Sequence, residues 1–118
     1  MASPTTRTLA LLRKRGYTCG IVEKWIPQTK RRLDLFGGID IVAIQPGETI
    51  GVQCTSQSNS AARATKLRAI PQLRTWIEAG NRLCVIGWTK KGPAGKRKLW
   101  QHTLTELYLA DMYTKGTE

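Results

Sequence analysis

The first apolar positions of the chain repeat at helical spacing. Leu9 and Leu12 form a short stripe after a Ser-Pro pair, which suits a helix N-cap and first turn, and Gly16 is typical of a helix end. This pattern predicts a helix over residues 4–15. The next stretch, residues 17–26, is rich in aromatic and β-branched residues and predicts a strand.

The clearest pattern lies in the middle of the chain, where two apolar runs flank a turn. Residues 39–44 (IDIVAI) and 49–55 (TIGVQCT) predict two antiparallel strands. The Gln-Pro-Gly-Glu between them suits a type II turn, which favours Pro in second place and Gly in third. With Gln45 opposite Glu48, the turn sets the register of the whole hairpin.

The second half of the chain mixes helical and extended patterns. Apolar residues at helical spacing predict a helix over residues 61–79, kinked or divided at Pro71. The other predicted elements are a basic loop at 28–32, a strand at 83–88, a basic loop at 89–96, a short strand at 99–102 and a helix at 103–113. The order α-β-β-β-α-β predicts one α/β domain, with a sheet flanked by helices, over residues 1–118.

The charge of the chain favours a polyanionic partner. It carries 19 Lys and Arg against 8 Asp and Glu, a net charge of +11. Residues 36–58 interrupt the positive charge, because they contain two carboxylates and no Lys or Arg. Two basic stretches, residues 29–32 and 90–98, hold the candidates for phosphate contact, with a merely solvated charged surface as the alternative: Lys30, Arg31, Arg32, Lys90, Lys91, Lys96, Arg97 and Lys98.

The cysteines and the apolar runs bear on the compartment. Cys19, Cys54 and Cys84 are widely spaced and form no C-x-x-C pair, which favours reduced thiols over a disulfide framework or a zinc site. No apolar run approaches the roughly 18 residues of a membrane span, and the first residues lack a signal-peptide apolar block. We therefore expect a cytoplasmic protein with no membrane partner.

Asp40 lies between two isoleucines of an apolar strand, where a carboxylate needs a partner. In the register set by the turn it faces Gln53, and Thr55 projects from the same face of the sheet. Carboxylate and carbonyl oxygens are the ligands that Mg²⁺ prefers, and the backbone carbonyl of Cys54 is a further oxygen within reach. The alternatives are an ion pair of purely structural value for Asp40 and a buried structural amide for Gln53.

A family resemblance is carried by three segments, G-Y-T-C-G-I-V-E-K-W, F-G-G-I-D-I-V-A-I and G-V-Q-C-T-S. Over about residues 5–90 the chain resembles the PD-(D/E)XK, or restriction-endonuclease-like, nucleases, and it is closest in layout to archaeal-type Holliday junction resolvases and VRR-type nucleases. This resemblance implies an αβββαβ core with a central mixed sheet. It also implies Mg²⁺- or Mn²⁺-dependent hydrolysis of phosphodiester bonds in structured or branched DNA, with Asp40, Gln53 and Cys54 as metal ligands. The resemblance favours a homodimer, because the related resolvases pair two sites across a four-way junction, and it leaves an RNA substrate open. A compact nuclease of this type would suit a phage or mobile element.

Two positions depart from the family pattern. Gln53 stands where an acid is usual, as in VRR-type members, and Thr55 stands where the family places a lysine. Some members of the superfamily move a functional side chain onto the following helix, so Lys66 or Arg63, which share a helix face, become candidates to replace the lysine. The alternative is a catalytically inactive nucleic-acid-binding module on the same fold, and charge alone would also suit an RNA-binding or ribosome-associated protein.

A second carboxylate for the metal could come from Glu23 or Asp34, although each could instead balance nearby basic residues. His102 is the sole histidine, and we expect it to be structural or on the surface. Trp88 and Trp100 border the second basic loop. They could stack on an exposed base, although tryptophans more often pack in the core.

Overall fold

The computed structural model describes residues 3–93, 95 and 97–113, and it contains a mixed sheet with helices on both faces. The helices are α1 (Pro4–Lys14), α2 (Ser60–Arg68) and α3 (Pro71–Glu78), with short 3₁₀ helices at Gln57–Asn59 and Leu109–Asp111. The strands are β1 (Thr18–Ile21), β2 (Lys24–Ile26), β3 (Arg31–Leu33), β4 (Ile41–Gln45), β5 (Glu48–Ser56), β6 (Arg82–Lys91) and β7 (Leu99–Leu107). The predicted α/β class, with a central mixed sheet flanked by helices, is confirmed.

Five strands form the central sheet, in the order β1-β4-β5-β6-β7. The pair β5 and β6 is parallel, and α2 and α3 lie in the crossover between them, as a parallel connection requires. The other neighbours in this sheet are antiparallel. The strands β2 and β3 form a separate antiparallel hairpin.

Each face of the sheet packs on its own helical layer. On one face, Leu9 and Leu12 of α1 contact a buried cluster that includes Val52. On the other face, Leu67 of α2 and Leu73 of α3 pack with buried residues of β6 and β7. Because side chains alternate along a strand, the sheet residues next to Val52 point toward the α2 layer. Among the described residues, no helix is both long enough and apolar enough to cross a bilayer.

The local patterns around α1 and the central hairpin are confirmed. Ser3 caps α1, since its hydroxyl accepts a hydrogen bond from the Thr6 backbone N–H at 3.2 Å. The hairpin has the predicted register, with Gln45 opposite Glu48 along β4 and β5. Gly47 has a φ of 77°, as the third position of a type II turn requires. Pro71 begins α3, so the helical stretch predicted over 61–79 is divided into two helices.

The strand predicted over residues 17–26 is wrong in extent, because the chain leaves the sheet in its middle. β1 ends where β4 begins, and the Val22 N–H still donates to the Asp40 carbonyl at 2.9 Å. Beyond that point β4 offers no further partner, so the chain turns into β2 and pairs with β3 instead. The loop predicted at 28–32 is therefore partly a strand, since Arg31 and Arg32 belong to β3.

The helix predicted over residues 103–113 is wrong. β7 runs from Leu99 to Leu107 and pairs along the whole of β6, which also continues to Lys91. The exposed edge of β6 offers a row of unpaired backbone N–H and C=O groups, and pairing them outweighs a weak helical periodicity. Leu107 is buried, whereas Leu104, three residues earlier, is 41% exposed, so the two do not form one buried helical face.

Gly38 allows the segment before β4 to lie directly on the α2–α3 layer. A Cβ at this position would overlap the side chains of Leu67 and Leu73. The absence of a side chain at Gly38 therefore fixes how closely the chain approaches the helices two residues before Asp40.

Candidate metal and phosphate site

A cleft of about 400 Å³ opens beside the carboxyl half of β5, between the first turn of α1 and the side of α2. We call it the acidic cleft and define it by its lining residues: Ser3, Pro4, Thr5, Glu23, Arg32, Asp34, Asp40, Gln53, Cys54, Arg63 and Lys66. Every residue predicted to bind metal or to act in catalysis lies in it. Glu23 and Asp34, the two candidates for the second carboxylate, both line the cleft.

Three carboxylates converge in the acidic cleft. Glu23, Asp34 and Asp40 each place an oxygen within 4.8 Å of the other two. Asp40 is buried, and the other two side chains are half-buried. Negative charges this close repel one another unless a cation or a proton joins them. Arg32 supplies part of the neutralising positive charge, because its Nη1 lies 3.0 Å from Glu23 Oε1.

The environment of Asp40 disfavours its charged form. Burial raises the pKa of this carboxyl to about 7, and the hydrogen bond from the Cys54 N–H opposes that rise only in part. A hydrogen bond with Asp34 and the negative charges of Asp34 and Glu23 raise the pKa further. Without a bound cation, Asp40 is therefore partly protonated at neutral pH.

Gln53 holds Asp40 in position and leaves one of its own atoms without a partner. Its Nε2 donates to Asp40 Oδ2 at 2.6 Å, and the Cys54 backbone N–H donates to the same oxygen at 2.8 Å. Gln53 is only 2% exposed, and its Oε1 has no hydrogen-bond partner among the described residues. A buried oxygen of this kind costs free energy unless a ligand satisfies it.

The oxygen atoms in the acidic cleft fit a hard divalent cation. Three carboxylates and the unpartnered oxygen of Gln53 are ligands of the type that Mg²⁺ and Mn²⁺ bind. The Cys54 thiol does not belong to this set, because burial raises its pKa to about 12 and keeps it protonated. The role predicted for the Cys54 backbone carbonyl stays a prediction.

The cations of the cleft come from α2 rather than from β5. Thr55, at the position where the resembled family has a lysine, is buried and is not part of the cleft lining. Arg63 and Lys66 line the cleft from α2, with Arg63 half-buried and Lys66 exposed. The predicted replacement of the lysine by α2 residues is therefore geometrically available.

The residues predicted to contact nucleic acid lie on two hairpins. Lys30, Arg31 and Arg32 are exposed on the β2–β3 hairpin. The end of β6 and the segment leading into β7 carry the second group, also exposed: Lys90, Lys91, Arg97 and Lys98. The remaining member, Lys96, lies outside the described residues. Arg32 lines the acidic cleft, so the first hairpin supplies a cation to the site itself.

Sequence reasoning missed the contribution of α1. The Ser-Pro start predicts a helix cap, but nothing local indicates that Ser3, Pro4 and Thr5 border the carboxylates. The positive end of a helix dipole thereby faces the cleft.

His102 lies outside the acidic cleft, with its ring 5.3 Å from the ring of Trp88. Comparison of the chain with protein-family models, curated proteins and solved structures gives no match.

Proposed function

We propose that this protein is a divalent-metal-dependent DNA endonuclease whose reaction takes place in the acidic cleft. The observation that carries the proposal is the convergence of three carboxylates with an unpartnered buried amide oxygen, in a cleft that two cations of α2 also line. The element order and the position of Asp40 beside Gln53 agree with the resemblance to PD-(D/E)XK nucleases. The net charge of +11 favours a nucleic acid as the partner.

Asp40 is the principal ligand in this proposal, and Glu23 and Asp34 complete the carboxylate set. The hydrogen bonds from Gln53 and Cys54 fix one oxygen of Asp40, which leaves its other oxygen for Mg²⁺ or Mn²⁺. When bound, such a cation supplies Lewis acidity toward a phosphoryl oxygen. Burial and the neighbouring carboxylates raise the pKa of Asp40, and a cation bound there would favour its charged form.

The cations of the cleft serve the phosphate group in this reaction. Hydrolysis adds one water across a P–O bond and places extra negative charge on the phosphoryl oxygens. Arg63 and Lys66 line the same cleft as the carboxylates, and in this proposal they hold the phosphate beside the bound cation. The two basic hairpins extend the positive surface along the DNA backbone. An intracellular, reducing location belongs to the same proposal and is supported by three free thiols.

A specific observation favours a second candidate, a nucleic-acid-binding module without catalysis. The position of the family lysine is held by Thr55, which is buried and uncharged. If Arg63 and Lys66 do not replace that lysine, the carboxylates hold a cation and the protein binds DNA without cutting it.

A cleavage assay separates the two candidates. The wild-type protein is incubated with linear duplex and with a four-way junction, in Mg²⁺, in Mn²⁺ and in EDTA. We expect metal-dependent cleavage that falls by about 100-fold or more in Asp40→Asn, because the substitution removes the principal charged ligand while retaining its shape. Glu78→Gln is the matched control, since Glu78 is an exposed carboxylate of α3 that pairs with Arg74.

Each outcome of this assay has a definite reading. Equal cleavage by wild type and Asp40→Asn contradicts the assignment of the site. DNA binding without cleavage in either Mg²⁺ or Mn²⁺ contradicts the proposed nuclease activity and supports the binding module. Cleavage of linear duplex and junction at equal rates contradicts the resolvase-like preference for branched DNA and retains the nuclease.

A further inference from the structure

A second pocket adjoins the acidic cleft on the α1 side of the sheet. It measures about 300 Å³, and its wall is mainly apolar. We call it the tryptophan pocket and define it by its lining residues: Pro4, Arg7, Ser56, Gln57, Ser58, Trp88, Thr89, Lys90 and Trp100. Pro4 lines both cavities, so the first turn of α1 is a wall that the tryptophan pocket and the acidic cleft share.

Trp88 forms a fixed wall of this pocket. Its indole Nε1 donates to the buried Thr8 hydroxyl at 2.9 Å, and the Thr8 hydroxyl donates in turn to the Pro4 carbonyl at 2.8 Å. The ring of Trp88 is 9% exposed. The polar group of this side chain is therefore satisfied inside the protein, and its apolar surface is what the pocket presents.

Trp100 is the exposed aromatic group of the pocket. Trp100 is 43% exposed and lies on β7, most of whose residues are exposed. The Arg7 guanidinium lies 3.6 Å from the centroid of its ring, and Lys90 Nζ lies 5.7 Å away. A flat aromatic surface and two cations thus share one opening.

The polar rim of the pocket is held close to the sheet. A Cβ at Gly87 would overlap the hydroxyl of Ser60 and press on the backbone of Gln57, so the glycine lets the 3₁₀ segment approach β6. Gln57 and the serines beside it line the tryptophan pocket. An amide and hydroxyl groups at this rim offer both donors and acceptors.

We infer that the tryptophan pocket binds an unpaired base of the DNA strand whose phosphate lies in the acidic cleft. The inference rests on the proposed function and specifies its substrate. A base can stack on the ring of Trp100 or on the guanidinium plane of Arg7, and these surfaces accept any base because every base has a π face. The cations of Arg7 and Lys90 match the phosphates on either side of such a base.

This geometry selects against a continuous duplex. A paired base stays inside the helical stack and reaches a pocket only after the cost of unpairing, which is least for a base that is already unpaired. The pocket volume of about 300 Å³ lies at the small end of the range for ligand sites and suits one planar ring system. The substrate therefore carries an unpaired nucleotide next to the bond that is cleaved, as at a bulge, a flap or a branch point.

Binding measured in EDTA tests the pocket without reference to cleavage. The probes are two DNAs of identical sequence on one strand, in which a single 2-aminopurine is either paired or unpaired. We expect the wild-type protein to bind the unpaired probe about 10-fold more tightly and to quench its fluorescence, since an unpaired base can stack on the aromatic ring. Trp100→Ala is expected to lose this preference and the quenching, while its affinity for the paired probe stays within about 2-fold.

Two further variants keep the test decisive. Trp100→Phe retains an aromatic face and is expected to restore most of the preference, which a merely unfolded hairpin would not do. Tyr113→Ala removes a ring of similar exposure, 55%, beside Met112 of the opposite core, and should behave as wild type. Equal affinity of the wild type for both probes, or equal loss of both affinities in Trp100→Ala, overturns the inference. If the wild type prefers the unpaired probe but cleaves no DNA, the inferred base-binding pocket is retained and the proposed nuclease activity is rejected.

Discussion

Two groups of carboxylates lie toward opposite ends of β5, and they differ in how their negative charges are paired. At the start of the strand, Glu48 and Glu106 share Arg82. Arg82 Nε and Nη2 donate to the two oxygens of Glu106 at 2.8 and 2.7 Å, and Arg82 Nη1 pairs with Glu48. We call these three residues the Arg82 cluster. The hydrogen bonds to Glu106 raise the pKa of Arg82 above its ordinary value, and both carboxylates contact the same guanidinium.

Toward the other end of β5, the acidic cleft gathers charge without neutralising it by direct pairing. Its three carboxylates lie within 4.8 Å of one another, and the ion pair found among them in the described structure joins Glu23 to Arg32. The Arg82 cluster stabilises the fold by itself, whereas the acidic cleft becomes favourable only when a cation or a proton enters. The contrast distinguishes carboxylates that serve structure from carboxylates arranged for a ligand.

The pH dependence of stability gives the largest expected difference between the two groups. In the folded protein Asp40 has a pKa of about 7, against about 3.8 as its ordinary value. The folded state therefore keeps a proton that the unfolded state has already lost. Hence the contribution of Asp40 to the free energy of unfolding falls as pH rises from about 4 to 7, by at most about 4 kcal/mol.

Urea unfolding in EDTA between pH 4 and 8 measures this contribution. Asp40→Asn is expected to remove it, so the difference between wild type and variant should grow with pH in favour of the variant. Glu106→Gln, in the Arg82 cluster, should keep the wild-type slope. If the free energies of unfolding of wild type and Asp40→Asn change with pH in parallel, folding does not raise the pKa of Asp40.

Addition of a divalent cation should offset the destabilisation that the clustered carboxylates of the acidic cleft cause. At pH 8, Mn²⁺ at 100 times its dissociation constant would stabilise the folded protein by about 2.7 kcal/mol. A rise of several degrees in the unfolding temperature is therefore expected for the wild type and for Glu106→Gln, but not for Asp40→Asn. An equal rise in all three proteins would place the bound ion outside the acidic cleft.

The sequence predicts one half of the site well because that half depends on local structure. Asp40 and Gln53 belong to one hairpin, and its Pro-Gly turn sets the register that brings them together. A helix after β5 follows from its apolar spacing, so Arg63 and Lys66 could be placed near the hairpin end.

The other half of the site depends on where the chain leaves the sheet. Glu23 and Asp34 reach the cleft because the stretch predicted as one strand divides and the β2–β3 hairpin lies between them. That division occurs beside the first residue of β4, where the sheet offers no further partner, and it is a tertiary event with no local signal. The same reasoning explains β7, whose strand conformation is imposed by the unpaired edge of β6.

Close packing at Gly38 offers a test of how the cleft is held in place. Gly38→Ala puts a methyl group against Leu67 and Leu73 and is expected to lower the free energy of unfolding by about 1–3 kcal/mol. Gly20→Ala is the matched control, because nothing lies within 4 Å of its Cβ position on β1. Urea unfolding compares the two variants. Equal stability would show that the segment before Asp40 moves freely away from the helices.

The smallest expected effects have opposite signs in the two groups of carboxylates. In EDTA at pH 8, Glu106→Gln should lower the free energy of unfolding by about 1 kcal/mol, since it removes a charge from a partly exposed ion pair. Asp34→Asn should instead raise it by about 0.5 kcal/mol, because it relieves repulsion of Asp40. In Mn²⁺ the gain from Asp34→Asn should turn into a loss, as a ligand is missing, while the effect of Glu106→Gln should be unchanged. A destabilising effect of Asp34→Asn in EDTA would mean that its carboxylate is already neutralised within the fold, and the contrast between the two groups would then disappear.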